Sequence, residues 1–230
     1  MIDVLIVGAR WTSAHHSVTH TFADALDRDR FNPRTLACLG SRSIVKAAVV
    51  REVHRSIRPL ILVGYAQGAA VVGDVASEFG GGGSPIAACA LISDPFRPRG
   101  HAVGNDPGGY GILGEREIDE VPAYWAAARG DLTTALAPGS SLRMVPELFD
   151  YFDLSTDEAV IDWRGRLVDA SIREQLARYP AARRLWHSKR GEYFMATASL
   201  LTGPHETNYV RLGHVERLAQ TINKEIAVHN

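Results

Sequence analysis

The stretch best suited to chemistry is a turn of small residues that directly follows an apolar strand. The strand is predicted over Leu60–Tyr65, the turn at 64–68 reads Gly-Tyr-Ala-Gln-Gly, and a helix of small residues is predicted over Gln67–Ser77. Glycines on both sides allow strand and helix to approach each other through a sharp, strained turn. The helix start then directs free N–H groups and the positive end of its dipole at whatever lies above Ala66.

This turn matches the nucleophile elbow, Gly-x-Ser-x-Gly, with Ala66 where the serine would stand. In an elbow, the central side chain is presented at the end of the strand, where it can attack an ester carbonyl. A methyl group cannot attack, and loss of a nucleophile costs about a millionfold in turnover. The chain as written is therefore expected to be inactive in such a reaction.

The elements around the turn alternate between strands and helices within 230 residues, which is typical of one domain. Continuous apolar runs indicate strands covered on both faces, so a doubly wound, mostly parallel α/β sheet is predicted. Residues 156–201 read as a helical excursion, either a cover over the site or ordinary packing helices. Strands are predicted over Ile2–Val7, Thr35–Leu39, Leu60–Tyr65, Ile86–Ser93 and Val121–Ala127, and further helices over Val18–Leu26, Ile44–Ile57 (capped by Ser43) and Val215–Val228.

Several short motifs together resemble the cutinase-like serine esterases of the α/β-hydrolase superfamily. Residues 64–69 are similar to Gly-Tyr-Ser-Gln-Gly-Ala in that family, and Ser93-Asp94-Pro95 is similar to its Gly-Asp-Pro. Gly130-Asp131 resembles the dipeptide that holds the catalytic acid, and 205–209 resembles its His-x-x-x-Tyr. The resemblance extends from about Ile2 to Tyr209.

The resemblance implies a triad in the order nucleophile, acid, histidine, formed by position 66, Asp131 and His205. With serine at 66, His205 would accept the hydroxyl proton and return it to the leaving alcohol, while Asp131 would orient the imidazole. The backbone N–H of Gln67 is predicted as one oxyanion donor. The second is predicted in the loop after the first strand, at Ala9, Thr12 or Ser13. Three nearby side chains are predicted to contact substrate: Trp11, His15 and Tyr65.

Other residues could fill the same roles. Asp94 ends a strand, but the family motif gives it a structural place, and Asp150 and Asp153 lie in an acidic segment typical of a solvated surface. His214 also follows the acid, yet at the start of the last helix a packing or capping role is expected.

Cofactors and several partners are not predicted. The loop after the first strand lacks the second and third glycines of a dinucleotide turn, and neither His-Glu-x-x-His nor paired Cys-x-x-Cys occurs, so no metal site is predicted. A net charge of −1 argues against nucleic acid. Cys38 and Cys89 are predicted to be small buried thiols. No signal peptide and no stable membrane insertion are expected.

Within the superfamily, the pattern most resembles the lysin B esterases of mycobacteriophages, in Asp94-Pro95 with Arg97 and Gly100, and in Gly111-Ile112-Leu113. This implies hydrolysis of the mycolyl ester of mycolyl-arabinogalactan at the cell envelope, by a protein made in the host cytoplasm and released at lysis. Two explanations of Ala66 stay open: a deliberate change in an active enzyme, or a natural non-catalytic module that binds lipid or cell-wall ester. A general actinobacterial cutinase or lipase is a third interpretation.

Overall fold

A computed structural model describes residues 1–8, 15–37, 40–140, 143, 158–159, 162 and 204–226, with the backbone alone at 15–17 and 204–207. The described strands are β1 (Ile2–Val7), β2 (Phe31–Leu36), β3 (Leu60–Tyr65), β4 (Ile86–Ile92) and β5 (Ala123–Ala126). The described helices are α1 (His15–Asp24), α2 (Arg42–Arg55), α3 (Gln67–Phe79), α4 (Pro204–Arg211) and α5 (His214–Glu225).

The five strands form one sheet in the order β2-β1-β3-β4-β5, and all four strand pairs are parallel. The chain moves outward from β1 to β2 and then returns to the other side of β1 to form β3. In parallel sheets of this order, the carboxyl ends of β1 and β3 mark the point where ligands bind. The predicted α/β class and parallel sheet are confirmed.

Alternating side chains of the strands enter two separate cores, one on each face of the sheet. On one face, Ile61 and Val63 pack with α1, α4 and α5 through residues such as Phe22 and Leu218. On the other face, Leu60 and Leu62 of the same strand pack against α2 and α3. Every residue of β3 is buried, as expected for a central strand covered on both faces.

The second strand is the clearest difference from the sequence prediction. It occupies Phe31–Leu36 and not Thr35–Leu39, and it contains Pro33. Proline removes a ladder hydrogen bond and is tolerated in a sheet only at an edge or bulge. β2 lies at one edge of the described sheet, and three of its six residues are exposed. The prediction placed the strand too late in the chain because Pro33 is unfavourable in a strand that is not at an edge.

The start of α2 also differs from the prediction, and one predicted segment falls outside the description. α2 begins at Arg42 after Ser41, so Ser43, predicted as its cap, lies in the first turn of the helix, and Ser41 makes no capping bond through its side chain. The predicted excursion at 156–201 lies outside the described residues except for 158, 159 and 162. None of the described helices has the length and apolar character that crossing a bilayer requires.

Candidate functional site

The turn between β3 and α3 holds Ala66 in an unusual backbone conformation. Its φ is 52° and its ψ is −111°, a combination that residues other than glycine rarely adopt. The Ala66 N–H donates to the carbonyl of Ile92 on the neighbouring strand at 2.9 Å, which ties the turn to the end of β4. Strain of this kind costs about 1–3 kcal/mol and persists only where the surrounding structure enforces it.

The two glycines of the turn are required by close backbone contacts. A β carbon on Gly64 would lie 2.4 Å from the Cα of Ala69, and one on Gly68 would lie 2.1 Å from the carbonyl oxygen of Val7. Both distances are far below van der Waals contact. The predicted steric role of the glycines is therefore present: they let α3 start directly against the ends of β3 and β1.

The predicted oxyanion donors fall partly within the description. Gln67 is the first residue of α3 and is 7% exposed, so the amino end of the helix lies next to Ala66. The first N–H groups of a helix have no partner within the helix, which makes this end suited to an anion. Ala9, Thr12 and Ser13 lie outside the described residues, as does Trp11. For His15, only its backbone position at the start of α1 is described.

Asp131 is the centre of a buried hydrogen-bond network beyond the end of β5. It is 3% exposed. Its Oδ2 accepts the hydroxyl of Ser93 at 2.6 Å and the hydroxyl of Tyr209 at 2.7 Å. Its Oδ1 accepts the backbone N–H of Thr133 at 2.9 Å. These three donors together fix the orientation of the Asp131 carboxylate.

Ser93 links this network to the turn. It follows Ile92, whose carbonyl accepts the Ala66 N–H, and its own N–H donates to the carbonyl of Ala126 at 3.1 Å. The ends of β3, β4 and β5 therefore bring Ala66, Ser93 and Asp131 to the same edge of the sheet. In the sequence, Ser93 stands out only as part of a strand-end motif. Its one signal was a polar residue at the end of a continuous apolar run.

Tyr209 anchors α4 to the acid. Its hydroxyl donates to Asp131 and accepts the N–H of Ala128 at 3.2 Å. Burial, reinforced by the negative charge of Asp131, raises the pKa of Tyr209 well above its usual value, so the phenol stays protonated. Position 205 lies one helical turn before Tyr209 on the same face of α4. The side chain of His205 itself is outside the description.

His214 and Tyr65 pack against Tyr209 from different elements. The His214 ring meets the Tyr209 ring edge-on at a centroid distance of 5.8 Å, which agrees with the predicted packing role. Burial, together with the charge of Arg217, lowers the pKa of His214. Tyr65 is 1% exposed and meets the Tyr209 ring at 6.4 Å. Tyr65 thus packs in the core, and its contact with substrate stays a prediction.

Asp94, the alternative candidate for the catalytic acid, accepts hydrogen bonds from other side chains and from the backbone. Arg116 donates to both carboxylate oxygens at 3.1 and 2.9 Å, Trp125 Nε1 donates at 3.0 Å, and the Phe96 N–H donates at 3.0 Å. Burial raises the pKa of Asp94, and the charge of Arg116 opposes that shift. Arg116 also pairs with Asp74 on α3. This cluster holds α3 to the end of β4, which is a structural role.

Arg97 organises the long loop after β4. Its side chain is completely buried and donates to the carbonyls of Thr134, His101 and Gly108, and it pairs with Asp106 at 3.0 Å. The guanidinium is thus surrounded by loop backbone. In this structure the Arg97 of the sequence motif holds the loop together.

No cluster of three or more potential metal ligands occurs among the residues that the structure describes. Asp150 and Asp153, the other alternative acids, lie outside those residues.

A scan against models of known protein families finds no match to this chain, and a search of curated proteins finds none either.

Proposed function

We propose that the chain has a cutinase-like α/β-hydrolase fold and that its strand-end site belongs to a serine ester hydrolase whose nucleophile position holds Ala66. One observation carries the proposal: a non-glycine residue sits at φ 52° and ψ −111° between a buried strand and a helix start. That conformation is costly, and an elbow needs it because it projects the central side chain away from the sheet.

The mechanism follows from a serine at position 66. Its Oγ attacks the ester carbonyl while His205 accepts the hydroxyl proton, and the tetrahedral oxyanion is stabilised by the Gln67 N–H at the amino end of α3. His205 then protonates the departing alcohol, which leaves an acyl-enzyme. Water, deprotonated by His205, then attacks the acyl-enzyme carbonyl, and His205 returns that proton to the serine Oγ as the carboxylic acid product leaves. Asp131 keeps the imidazole in the required tautomer, and no cofactor takes part.

Two contacts support Asp131 as the acid of this triad over Asp94. Both oxygens of Asp94 accept from the Nη2 of Arg116. Asp131, by contrast, is bonded by Tyr209 of α4, the helix that also carries position 205. The loop that carries the acid is therefore in contact with the helix that carries the proposed base.

For the substrate we propose a long-chain lipid ester, specifically the mycolyl ester of mycolyl-arabinogalactan, with action at the bacterial envelope after lysis. This step rests on the resemblance of the 94–113 segment to lysin B esterases. A general actinobacterial cutinase or lipase would use the same chemistry on shorter acyl chains.

A non-catalytic binding module is the second candidate, and it is favoured by alanine at position 66 in the chain as it stands. A binding module has no need for a strained turn or for a buried carboxylate held by three donors, and both are present. These two features therefore favour the enzyme.

Restoring the nucleophile tests the proposal. Ala66→Ser is expected to hydrolyse p-nitrophenyl butyrate, and the same chain with His205→Ala added is expected to lose that activity. A folded Ala66→Ser protein without hydrolysis on short or long acyl esters would favour the binding module. Release of free mycolic acids from a mycobacterial wall fraction would separate the lysin B activity from a general lipase.

A further inference from the structure

The buried network around Asp131 contains two hydroxyl groups that the mechanism above does not use. Building on the proposed function, we propose that Ser93 and Tyr209 are positioning residues: they hold the Asp131 carboxylate so that its one remaining acceptor position, on Oδ1, is available to the imidazole of His205.

The hydrogen-bond donors around the Asp131 carboxylate show which of its acceptor sites remains available. A carboxylate offers about four acceptor sites, two on each oxygen. Ser93 and Tyr209 occupy Oδ2, and the Thr133 N–H occupies one site of Oδ1. Among the described residues, these donors leave one site on Oδ1. The carboxylate is thus prevented from turning, and a fourth donor has a single place to bind.

The direction of the Tyr209 hydroxyl is fixed by its second partner. A phenol has one proton to donate, and the oxygen of Tyr209 already accepts the Ala128 N–H. The Tyr209 hydroxyl donates this proton to Asp131 Oδ2 at 2.7 Å, and the Ser93 hydroxyl also contacts the phenol. Because the phenol stays protonated, it acts as a donor to Asp131 throughout the pH range of an esterase assay.

The backbone conformation of Ser93 indicates that its hydroxyl group has a role beyond packing. Its φ is 54°, in the left-handed region, where a residue with a β carbon is disfavoured and glycine is not. It is also completely buried, in a position where a smaller residue would avoid the backbone cost. Its hydroxyl donates to Asp131 at 2.6 Å and also contacts the Tyr209 hydroxyl, and these interactions offset that cost.

Helix α4 connects this network to the base. Tyr209 and position 205 are four residues apart, so they occupy the same helix face one turn apart. The bond from Tyr209 to Asp131 therefore fixes the height and rotation of the helix relative to the acid. Loss of that bond would let position 205 move relative to Asp131.

Two single variants test the inference in the Ala66→Ser background. Ser93→Gly removes one donor and also relieves the positive φ, so we expect unchanged or higher thermal stability. Tyr209→Phe removes only the second hydroxyl. Each is expected to lower kcat on p-nitrophenyl butyrate about tenfold with KM unchanged, since a bond to a charged group is lost. Because both donors share Oδ2, the double variant is expected to lose less than the product of the two effects.

Tyr124→Phe is the matched control, because Tyr124 is a partly buried tyrosine whose hydroxyl interacts with Glu225, away from this network. It should leave kcat unchanged. If Ala66→Ser is active and both test variants keep full kcat, the inference is overturned and the esterase stands. A fall in kcat that only follows lost stability or a raised KM also overturns it. If the Ala66→Ser protein is folded and inactive, the proposed function is contradicted, and the inference that rests on it is contradicted as well.

Discussion

Gly68 touches Val7 so closely that a β carbon on the glycine would lie 2.1 Å from the Val7 carbonyl oxygen. The two residues belong to the start of α3 and the end of β1, neighbouring elements at the point where the strand order reverses. The site proposed here is built at this contact, since it brings the amino end of a helix to the carboxyl end of the sheet.

Gly68→Ala is therefore expected to destabilise the fold by about 3 kcal/mol or more, since backbone on both sides must move. Chemical denaturation gives the difference in the free energy of unfolding. Gly139→Ala is the control, because a β carbon at Gly139 meets no atom within 4 Å and its φ is not positive. Equal stability of the two variants would contradict the contact.

Ala66→Gly is expected to stabilise the protein. Glycine adopts a positive φ without steric cost, so the variant should recover about 1 kcal/mol of strain, which is about 2–4 °C in Tm for a chain of this size. Ala47→Gly, at an exposed position inside α2, should do the opposite and cost about 1 kcal/mol. A lower Tm for Ala66→Gly would show that the turn is not strained at this residue.

Arg116→Met should be strongly destabilising, by about 3–5 kcal/mol, because it leaves the buried Asp94 carboxylate without its cation. Without the charge of Arg116, burial raises the pKa of Asp94 further, so the folded state binds a proton more tightly than the unfolded state. The deficit should therefore shrink as the pH is lowered from about 8 to about 5.

Arg28→Met is the comparison for this cluster, since the Arg28–Asp24 pair is exposed and contributes about 0–1 kcal/mol. It should change the free energy of unfolding little at any pH. A deficit in Arg116→Met that grows on acidification would mean that Asp94 is not the group left unpaired.

Cys89 should resist alkylation in the folded protein. It is free and completely buried in β4, and burial raises its pKa to about 12, so almost no thiolate exists near pH 8. In a Cys38→Ser background, iodoacetamide should modify the chain only after denaturation, as measured by intact mass. Rapid modification of the native protein would place Cys89 at the surface. Its burial confirms the sequence prediction, while Cys38 lies outside the described residues.

The sequence predicted the elements whose local pattern and tertiary environment agree. β3 and the start of α3 were predicted at their observed residues, because a continuous apolar run and a Gly-x-Ala-x-Gly turn are both local signals. β2 was displaced because Pro33 is unfavourable in a strand except at an edge, and edge position is a property of the whole sheet.

The contacts around the acid could not be predicted in the same way. Ser93 and Asp131 are 38 residues apart, and Tyr209 is 78 residues beyond Asp131, so the three meet only through the parallel order of the strands and the packing of α4. The resemblance to cutinase-like esterases selected Asp131 and Tyr209, but it gave no bond between them. The positive φ of Ser93 has no signature in the sequence at all.

Position 66 is proposed as a nucleophile site activated by His205, and covalent labelling with a fluorophosphonate probes both residues at once. The Ala66→Ser protein should take up one equivalent of a fluorophosphonate, mapped by peptide mass spectrometry to residue 66. The chain with Ala66 should take up none, and His205→Ala in the Ala66→Ser background should abolish rapid labelling. A folded Ala66→Ser protein that stays unlabelled, or that is labelled equally fast without His205, would contradict the account.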